Sequence, residues 1–194
     1  MVRDDPADVG AVGAWAVEGT TELIELGSGT EYVGDGSSVT VEVHSDDAGG
    51  ALDGRNVVGL IATLTYDEDE TSDDLGCAAP GASNAEPDTI AGLLTRGDLS
   101  AQGEGQNSDA STSSHDVRVL WIDEALLNGG ELNMTKADAQ AAISGGTVGF
   151  GPTTLDLSVT VQQGGAAFCN HQDDGEEVRW TISALVFDAT LAAA

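Results

Sequence analysis

Acidic side chains are concentrated in one run at residues 67–74, with the sequence DEDETSDD, and a second acidic segment, EPDT, follows at residues 86–89. Calcium takes about six to eight oxygen ligands from carboxylates and carbonyls, so acids at alternate positions of one segment suit it when a neighbouring segment adds another. The run lacks the D-x-D-x-D-G order of an EF-hand loop. We expect Asp67, Asp69 and Asp88 to bind calcium; the alternative is a solvated loop on a chain that is acidic throughout.

The chain has two cysteines, Cys77 and Cys169, and they show no zinc-type spacing such as C-x-x-C. A bridge between them would close a loop of about 90 residues, which the chain-entropy model values at roughly 4–5 kcal/mol. The residues next to each cysteine are polar or include glycine, which suits a disulfide at the surface better than two thiols in the core. We predict a disulfide between them, with two unpaired cysteines as the alternative. A disulfide implies an oxidising compartment, so we expect an extracellular or cell-surface location.

Aromatic residues are scarce, with three tryptophans, two tyrosines and three phenylalanines, which limits the candidates for a sugar-binding platform. Trp121 and Trp180 alternate in step with apolar residues of predicted strands, so we expect both to be buried. Trp15 is then the candidate for an exposed ligand-binding platform. A carbohydrate-binding accessory module is therefore one alternative function.

Catalytic motifs are missing from the sequence: it contains neither a G-x-S-x-G nucleophile elbow nor a G-x-x-x-x-G-K-[ST] phosphate loop. Glycoside hydrolysis needs two carboxylates at a defined separation in space. A chain this acidic offers so many pairs of carboxylates that no single pair in the sequence indicates an active site. The three histidines, His44, His115 and His171, are far apart in sequence and would form a metal cluster only through the fold. We expect a protein that is not an enzyme, with a hydrolase as the alternative.

Charge is the strongest compositional signal, because the chain has 34 Asp and Glu residues but only 6 Lys and Arg residues, for a formal net charge of −28. Such a surface repels phosphate backbones and anionic lipids, so we expect no binding to nucleic acids or membrane surfaces, and cations as partners. No apolar run approaches the length of about 18 residues that a spanning helix needs, so we expect no membrane insertion. The self-repulsion destabilises the folded chain at low ionic strength. It is largely screened at about 1 M salt, where the Debye length is roughly 3 Å. The acids are spread along the whole chain, as expected for a halophilic or marine archaeal protein.

Elements that would position these residues are indicated by apolar residues at every second position. Five strands are predicted this way: Ser38–His44, Asn56–Tyr66, Val117–Ile122, Leu155–Val161 and Val178–Phe187. Four weaker candidates raise the count to eight or nine: Ala14–Val17, Glu22–Leu26, Ile90–Leu94 and Thr147–Phe150. One short peripheral helix is expected after Thr135, which can cap it, and before Gly145-Gly146.

These elements predict an all-β fold, an antiparallel β-sandwich that is jelly-roll-like, with about eight strands and one short helix. We expect residues 1–194 to form a single domain. The glycine- and serine-rich stretch from Gly97 to Asp116 is predicted to be a long mobile loop.

A family resemblance rests on Leu64-Thr65-Tyr66-Asp67 followed by Pro87-Asp88-Thr89, and on the closing pair of stretches Thr154–Val161 and Asp173–Ile182. These segments, about half of the chain, resemble secreted archaeal jelly-roll modules similar to the proprotein-convertase P domain and the bacterial pre-peptidase C-terminal domain. The longer acidic loop, the insertion from Gly97 to Asp116 and the cysteine pair depart from that pattern. The resemblance implies a calcium-stabilised accessory or adhesion domain.

Taken together, these features predict a non-catalytic structural or adhesion module, extracellular or at the cell surface of a salt-adapted organism, with calcium as a stabilising ion. Its expected partners are cations and a cell-surface protein or glycan. Two alternatives stay open: a carbohydrate-binding accessory module, and a subunit of a virion or surface layer.

Overall fold

The computed structural model describes residues 10–66, 88–106, 114–162, 165–166, 169–170 and 174–194. The strands in chain order are β1 (Val12–Gly34), β2 (Ser38–His44), β3 (Val57–Thr65), β4 (Thr89–Arg96), β5 (Leu99–Gln106), β6 (His115–Leu120), β7 (Glu131–Thr135), β8 (Pro152–Thr160), β9 (Gly165–Ala166), β10 (Cys169–Asn170) and β11 (Gly175–Ala193). Two short helices, α1 (Glu124–Leu127) and α2 (Lys136–Ala142), lie on either side of β7, and a 3-10 helix spans Ser45–Ala48. None of the helices in these residues is long and apolar enough to cross a membrane.

Two antiparallel sheets form the body of the protein, with strand orders β6-β3-β11-β1-β7 and β2-β8-β4-β5, beside a small β9-β10 hairpin. Setting the edge strand β7 and the β9-β10 hairpin aside, the remaining eight strands can be numbered 1–8 along the chain. The two sheets then read 1-8-3-6 and 2-7-4-5, which is the order of a jelly roll. The predicted antiparallel β-sandwich is therefore confirmed, and α1, β7 and α2 form an insertion between its sixth and seventh strands.

Two hydrophobic clusters explain the apolar patterns of the strands. The larger one fills the space between the sheets, with Leu60 and Leu64 of β3 facing Leu155 and Leu157 of β8. The smaller one lies on the outer face of the five-stranded sheet and includes these buried residues: Val17, Val58, Leu126, Ile143, Leu185 and Phe187. Because β3 contributes side chains to both clusters, its sequence is apolar almost without interruption instead of alternating.

The stretch from Gly97 to Asp116 is not the long loop that its composition predicts, because residues 99–106 form β5 and β6 begins at His115. The inward positions of β5 carry small residues, and an added Cβ would lie 3.1 Å from Val117 at Gly103 and 1.9 Å from the ring of His115 at Gly105. Side chains of β6 fill the space that apolar side chains of β5 would otherwise occupy. The apolar alternation that marks a strand is therefore missing from β5.

The helical and turn predictions gave mixed results. Helix α2 begins after Thr135, whose hydroxyl accepts a hydrogen bond from the backbone N–H of Asp138 at 3.2 Å, as its capping sequence predicts. Helix α1 is an additional element. The weak strand candidate at Thr147–Phe150 is wrong, because these residues form turns.

The sandwich has two ends, which differ in their connections. At the loop end, Tyr66 follows β3, Asp88 precedes β4, β8 finishes at Thr160 and β11 starts at Gly175. The chain between residues 66 and 88, which holds Cys77, and the chain between 162 and 174, which holds Cys169, both leave and re-enter the sandwich there. At the opposite, hairpin end, β4 turns directly into β5 and β2 pairs with the start of β8.

Candidate functional site

Asp88 lies at the loop end with none of its surface exposed to solvent. Its Oδ1 atom accepts a hydrogen bond from the backbone N–H of Gln162 at 2.7 Å, and its backbone carbonyl accepts one from the hydroxyl of Tyr66. Asp88 is therefore held beside the residue after which the acidic run begins. Of the three calcium ligands predicted from the sequence, it is the one that the described structure includes.

The local fold explains this arrangement. Tyr66 continues the inward series of Leu60, Ala62 and Leu64, so its fully buried ring enters the main core and its hydroxyl points to the facing sheet. β4 pairs with β8 through Thr89 and Thr160, which brings Gln162 alongside Asp88. The Tyr66–Asp88 contact therefore joins the two sheets at the loop end.

A second buried carboxylate, that of Glu176, also lies at the loop end and is fully shielded from solvent. It pairs with Val33 of β1 and belongs to the same alternating series of β11 as Val178 and Ile182, whose side chains face the core. When the alternation of inward and outward residues in β11 is extended toward the N-terminus by one inward position, it places Glu176 on the buried face. Buried carboxylates are expensive unless hydrogen-bond donors or a cation stabilise them, so two at one end form an acidic interior there.

The predicted calcium set is not tested by this geometry. Asp67 and Asp69 lie outside the described residues, as does Cys77, while Cys169 begins β10. In the part of the chain that the structure describes, no group of three or more His, Cys, Asp and Glu side chains is arranged to hold a metal ion. The calcium site and the disulfide therefore stay predictions.

The histidine cluster does not form from the described histidines. His44 ends β2 at the hairpin end, where its Nδ1 atom accepts a hydrogen bond from the backbone N–H of Asp46 at 3.2 Å. His115 starts β6 at the loop end, opposite Leu64. The two imidazoles are thus at opposite ends of the sandwich, and His171 lies outside the described residues.

Trp15, predicted as a ligand platform, is half-buried in β1 between β7 and β11. Its indole N–H donates a hydrogen bond to the backbone carbonyl of Met134 at 3.0 Å, and the ammonium of Lys136 lies 6.0 Å from the centre of its ring. The insertion that contains β7 and α2 therefore occupies part of its surface.

A groove of about 460 Å³ opens between α2 and β11, and Trp15 is not one of its lining residues. Ile143 and Phe187 contribute apolar surface, and Gln140, Ser144 and Asp188 contribute polar groups. The carboxylate of Asp188 is 3.1 Å from Arg55, which also contacts Glu22 at 2.6 Å. The hydrogen bond to Glu22 and the charge of Asp188 raise the pKa of Arg55 above its usual value.

No protein-family model matches this chain, and no curated protein matches it. Among solved structures, a chain from tobacco necrosis virus is similar at 14% sequence identity, over 91% of this chain and 97% of that chain, with a TM-score of 0.27. At that TM-score the likeness supports no inference about function.

Proposed function

We propose that this protein is a non-catalytic structural or adhesion module that works in the extracellular space or at the cell surface of a salt-adapted organism, and that calcium stabilises its loop end. The observation that carries the proposal is the fully buried carboxylate of Asp88, which accepts a hydrogen bond from the backbone N–H of Gln162. Asp88 directly follows the acidic segment of residues 67–87. An oriented carboxylate is the type of ligand that calcium prefers.

The surroundings of Asp88 favour a cation. Glu176 adds a second buried carboxylate at the same end, and the intervening segment from residue 67 to residue 87 contributes a further run of acids. The protein has only six lysine and arginine residues, so its own side chains supply few positive charges. A divalent ion would neutralise several carboxylates at once and would tie the acidic segment to the end of the sandwich.

The extracellular and saline setting rests on charge and cysteine content. A net charge of −28 favours a medium in which mobile ions screen repulsion over distances of a few ångström. The two segments that carry Cys77 and Cys169 both start from the loop end, which supports the proposed disulfide. A disulfide there and a calcium ion would stabilise the same group of connections.

Calcium titration of thermal unfolding at constant ionic strength tests the metal. A ligand present at a hundred times its Kd stabilises the folded state by about 2.7 kcal/mol. For a chain of this size that is roughly 5–11 °C in melting temperature. We expect calcium to raise the melting temperature of the wild-type protein, and magnesium at the same concentration to raise it less.

The matched variants are Asp88→Asn and Asp98→Asn. Both remove one negative charge, but Asp98 is exposed at the hairpin end, on the far side of the eight-residue strand β4. We expect the calcium-dependent shift to persist in Asp98→Asn and to be largely lost in Asp88→Asn. A wild-type melting temperature that calcium leaves unchanged would refute the calcium part of the proposal.

A second candidate function is a subunit of a virion or surface layer, and the strand order favours it. The order 1-8-3-6 and 2-7-4-5 is a jelly roll, an architecture that viral capsid proteins use among several other classes. In the four-stranded sheet β2 and β5 are edge strands, whose backbone groups could pair with another copy. Sedimentation at high salt and high protein concentration tests this function, and a monomer under all conditions counts against it.

A further inference from the structure

Asn133 begins the sequence Asn133-Met134-Thr135, which has the form N-x-T with a residue other than proline in the middle. The asparagine of N-x-[ST] is the acceptor of N-linked glycans in exported proteins. Asn133 is the one asparagine of this chain that stands in such a sequence; the others are Asn56, Asn84, Asn107, Asn128 and Asn170. A three-residue motif is a weak signal by itself, so the place of Asn133 in the fold decides.

The side chain of Asn133 is exposed and uncommitted. Asn56 is half-buried and its amide makes three hydrogen bonds to backbone groups, and the amide of Asn128 donates to the backbone carbonyl of Glu124 at 3.3 Å. The amide of Asn133, by contrast, makes no hydrogen bond to any of the described residues. Its Nδ2 atom is therefore free to react without breaking a contact of the folded protein.

The strand that carries Asn133 presents it to solvent. β7 is an edge strand of the five-stranded sheet and pairs with β1, where Leu132 is opposite Trp15 and Asn133 is opposite Ala14. Successive side chains of a strand point to opposite faces. Leu132 packs against the smaller hydrophobic cluster, so Asn133 faces away from it, and its cross-strand neighbour Ala14 is small and exposed. This surface has room for a bulky group.

Thr135 supplies the hydroxyl of the motif and lies two positions further along β7, on the same face as Asn133. In the folded protein this hydroxyl caps α2, because it accepts from the backbone N–H of Asp138 at 3.2 Å and donates to its carboxylate at 2.7 Å. An enzyme that reads the hydroxyl therefore acts before α2 forms or while its first turn is open. Opening is easy, since a helix as short as Lys136–Ala142 is marginal without its packing.

We propose that Asn133 is an N-glycosylation site. The inference rests on the extracellular or cell-surface location proposed above, because N-linked glycans belong to exported proteins. The glycan donor is a lipid-linked sugar phosphate. Nδ2 forms a bond to C1 of the first sugar, the bond between C1 and the phosphate oxygen breaks, and the amide proton ends on the departing lipid phosphate. No oxidant or reductant is needed.

A glycan at this position shields an edge of the sandwich. The free side of an edge strand offers unpaired backbone N–H and C=O groups to another chain. A bulky polar group on Asn133 hinders the approach of a second copy to β7. Any strand pairing between copies is then left to the other edge strands.

Peptide mass spectrometry tests the site in the protein purified from the organism that makes it. Trypsin cleaves after Arg118 and Lys136, so Asn133 is released in the peptide Val119–Lys136. We expect this peptide to be heavier than its sequence by the mass of a glycan, and fragmentation to place the glycan on Asn133. An unmodified peptide would overturn the inference. If the unmodified protein is found outside the cell, the proposed location stands; if it is found in the cytoplasm, both fail.

Matched variants made in the same organism separate the motif from the fold. Asn133→Gln should lose the added mass completely, and it leaves the Thr135 cap of α2 in place. Thr135→Ser keeps both the motif and the capping hydroxyl and should keep the glycan, whereas Thr135→Ala should lose it. Asn128→Gln changes an exposed asparagine outside the motif and should keep the glycan. Added mass that persists in Asn133→Gln would refute Asn133 as the acceptor.

Discussion

Asn56 provides the sharpest test of how the insertion is held to the sandwich. Its Nδ2 atom donates to the backbone carbonyls of Ile143 at 2.8 Å and Phe187 at 3.0 Å, and its Oδ1 accepts from the backbone N–H of Gly145 at 2.8 Å. One half-buried amide therefore fixes the end of α2 and the following turn against β11. We predict that Asn56→Ala loosens this whole region.

The magnitude follows from the number of bonds. Each hydrogen bond contributes about 0.5–1.5 kcal/mol net, and removing one partner leaves the other group partly desolvated, so losing three should cost about 2–4 kcal/mol. For a chain of this length that is roughly 4–16 °C in melting temperature. Asn56→Asp keeps the acceptor for Gly145 but places a charge against the carbonyls of Ile143 and Phe187, so it should be at least as destabilising.

Chemical denaturation followed by tryptophan fluorescence measures this loss directly. The control is Asn128→Ala, because Asn128 is exposed and its amide makes one long hydrogen bond, at 3.3 Å, to the backbone carbonyl of Glu124. A surface change of this kind should alter the free energy of unfolding by no more than about 0.5 kcal/mol. If Asn56→Ala is as stable as Asn128→Ala, the three bonds do not anchor the insertion.

Two further predictions concern packing and charge. Gly59→Ala should cost about 1–3 kcal/mol in unfolding experiments, because its Cβ would lie 2.5 Å from Leu120 and 2.9 Å from the backbone carbonyl of Val119. Gly13→Ala, whose Cβ would lie 3.5 Å from Trp15, is the neutral control, and equal stabilities would contradict the packing argument. For the whole protein, with its net charge of −28, the melting temperature should rise as the Debye length falls from about 10 Å at 0.1 M salt to about 3 Å at 1 M. A melting temperature independent of salt would mean that charge repulsion is unimportant.

Strands with one buried face were predictable from the sequence. Ser38–His44 has the same bounds in the structure as in the prediction, because Val41 and Val43 are buried while Glu42 between them is exposed. Strand β5 is not predicted from the sequence because its inward positions hold Gly103 and Gly105 instead of apolar residues. These glycines leave room for the β6 side chains that pack against them. A pattern of apolar residues cannot report a strand whose inner face is filled by its neighbour.

For the candidate sites too, the sequence predicts the type of residue and the fold decides whether it is buried. The density of acids around Asp88 predicts it as a calcium ligand, but its burial depends on Tyr66, from which it is separated by 22 positions in the sequence. Nothing in the sequence marks Glu176 or Arg96 as buried, because an ionisable residue on a strand usually faces solvent. Their burial follows from where each strand lies in the sandwich.

The sequence by itself determined the class of fold and the acidic surface, because both are sums over local choices: alternation along each strand and the type of residue at each exposed position. The tertiary structure alone decided the jelly-roll strand order and the contents of its two ends, with Asp88 and Glu176 at one and Arg96 at the other. These groups come from strands far apart in the chain. Only the pairing of β1 with β11, β3 with β6 and β4 with β8 brings them to common ends and withdraws them from water.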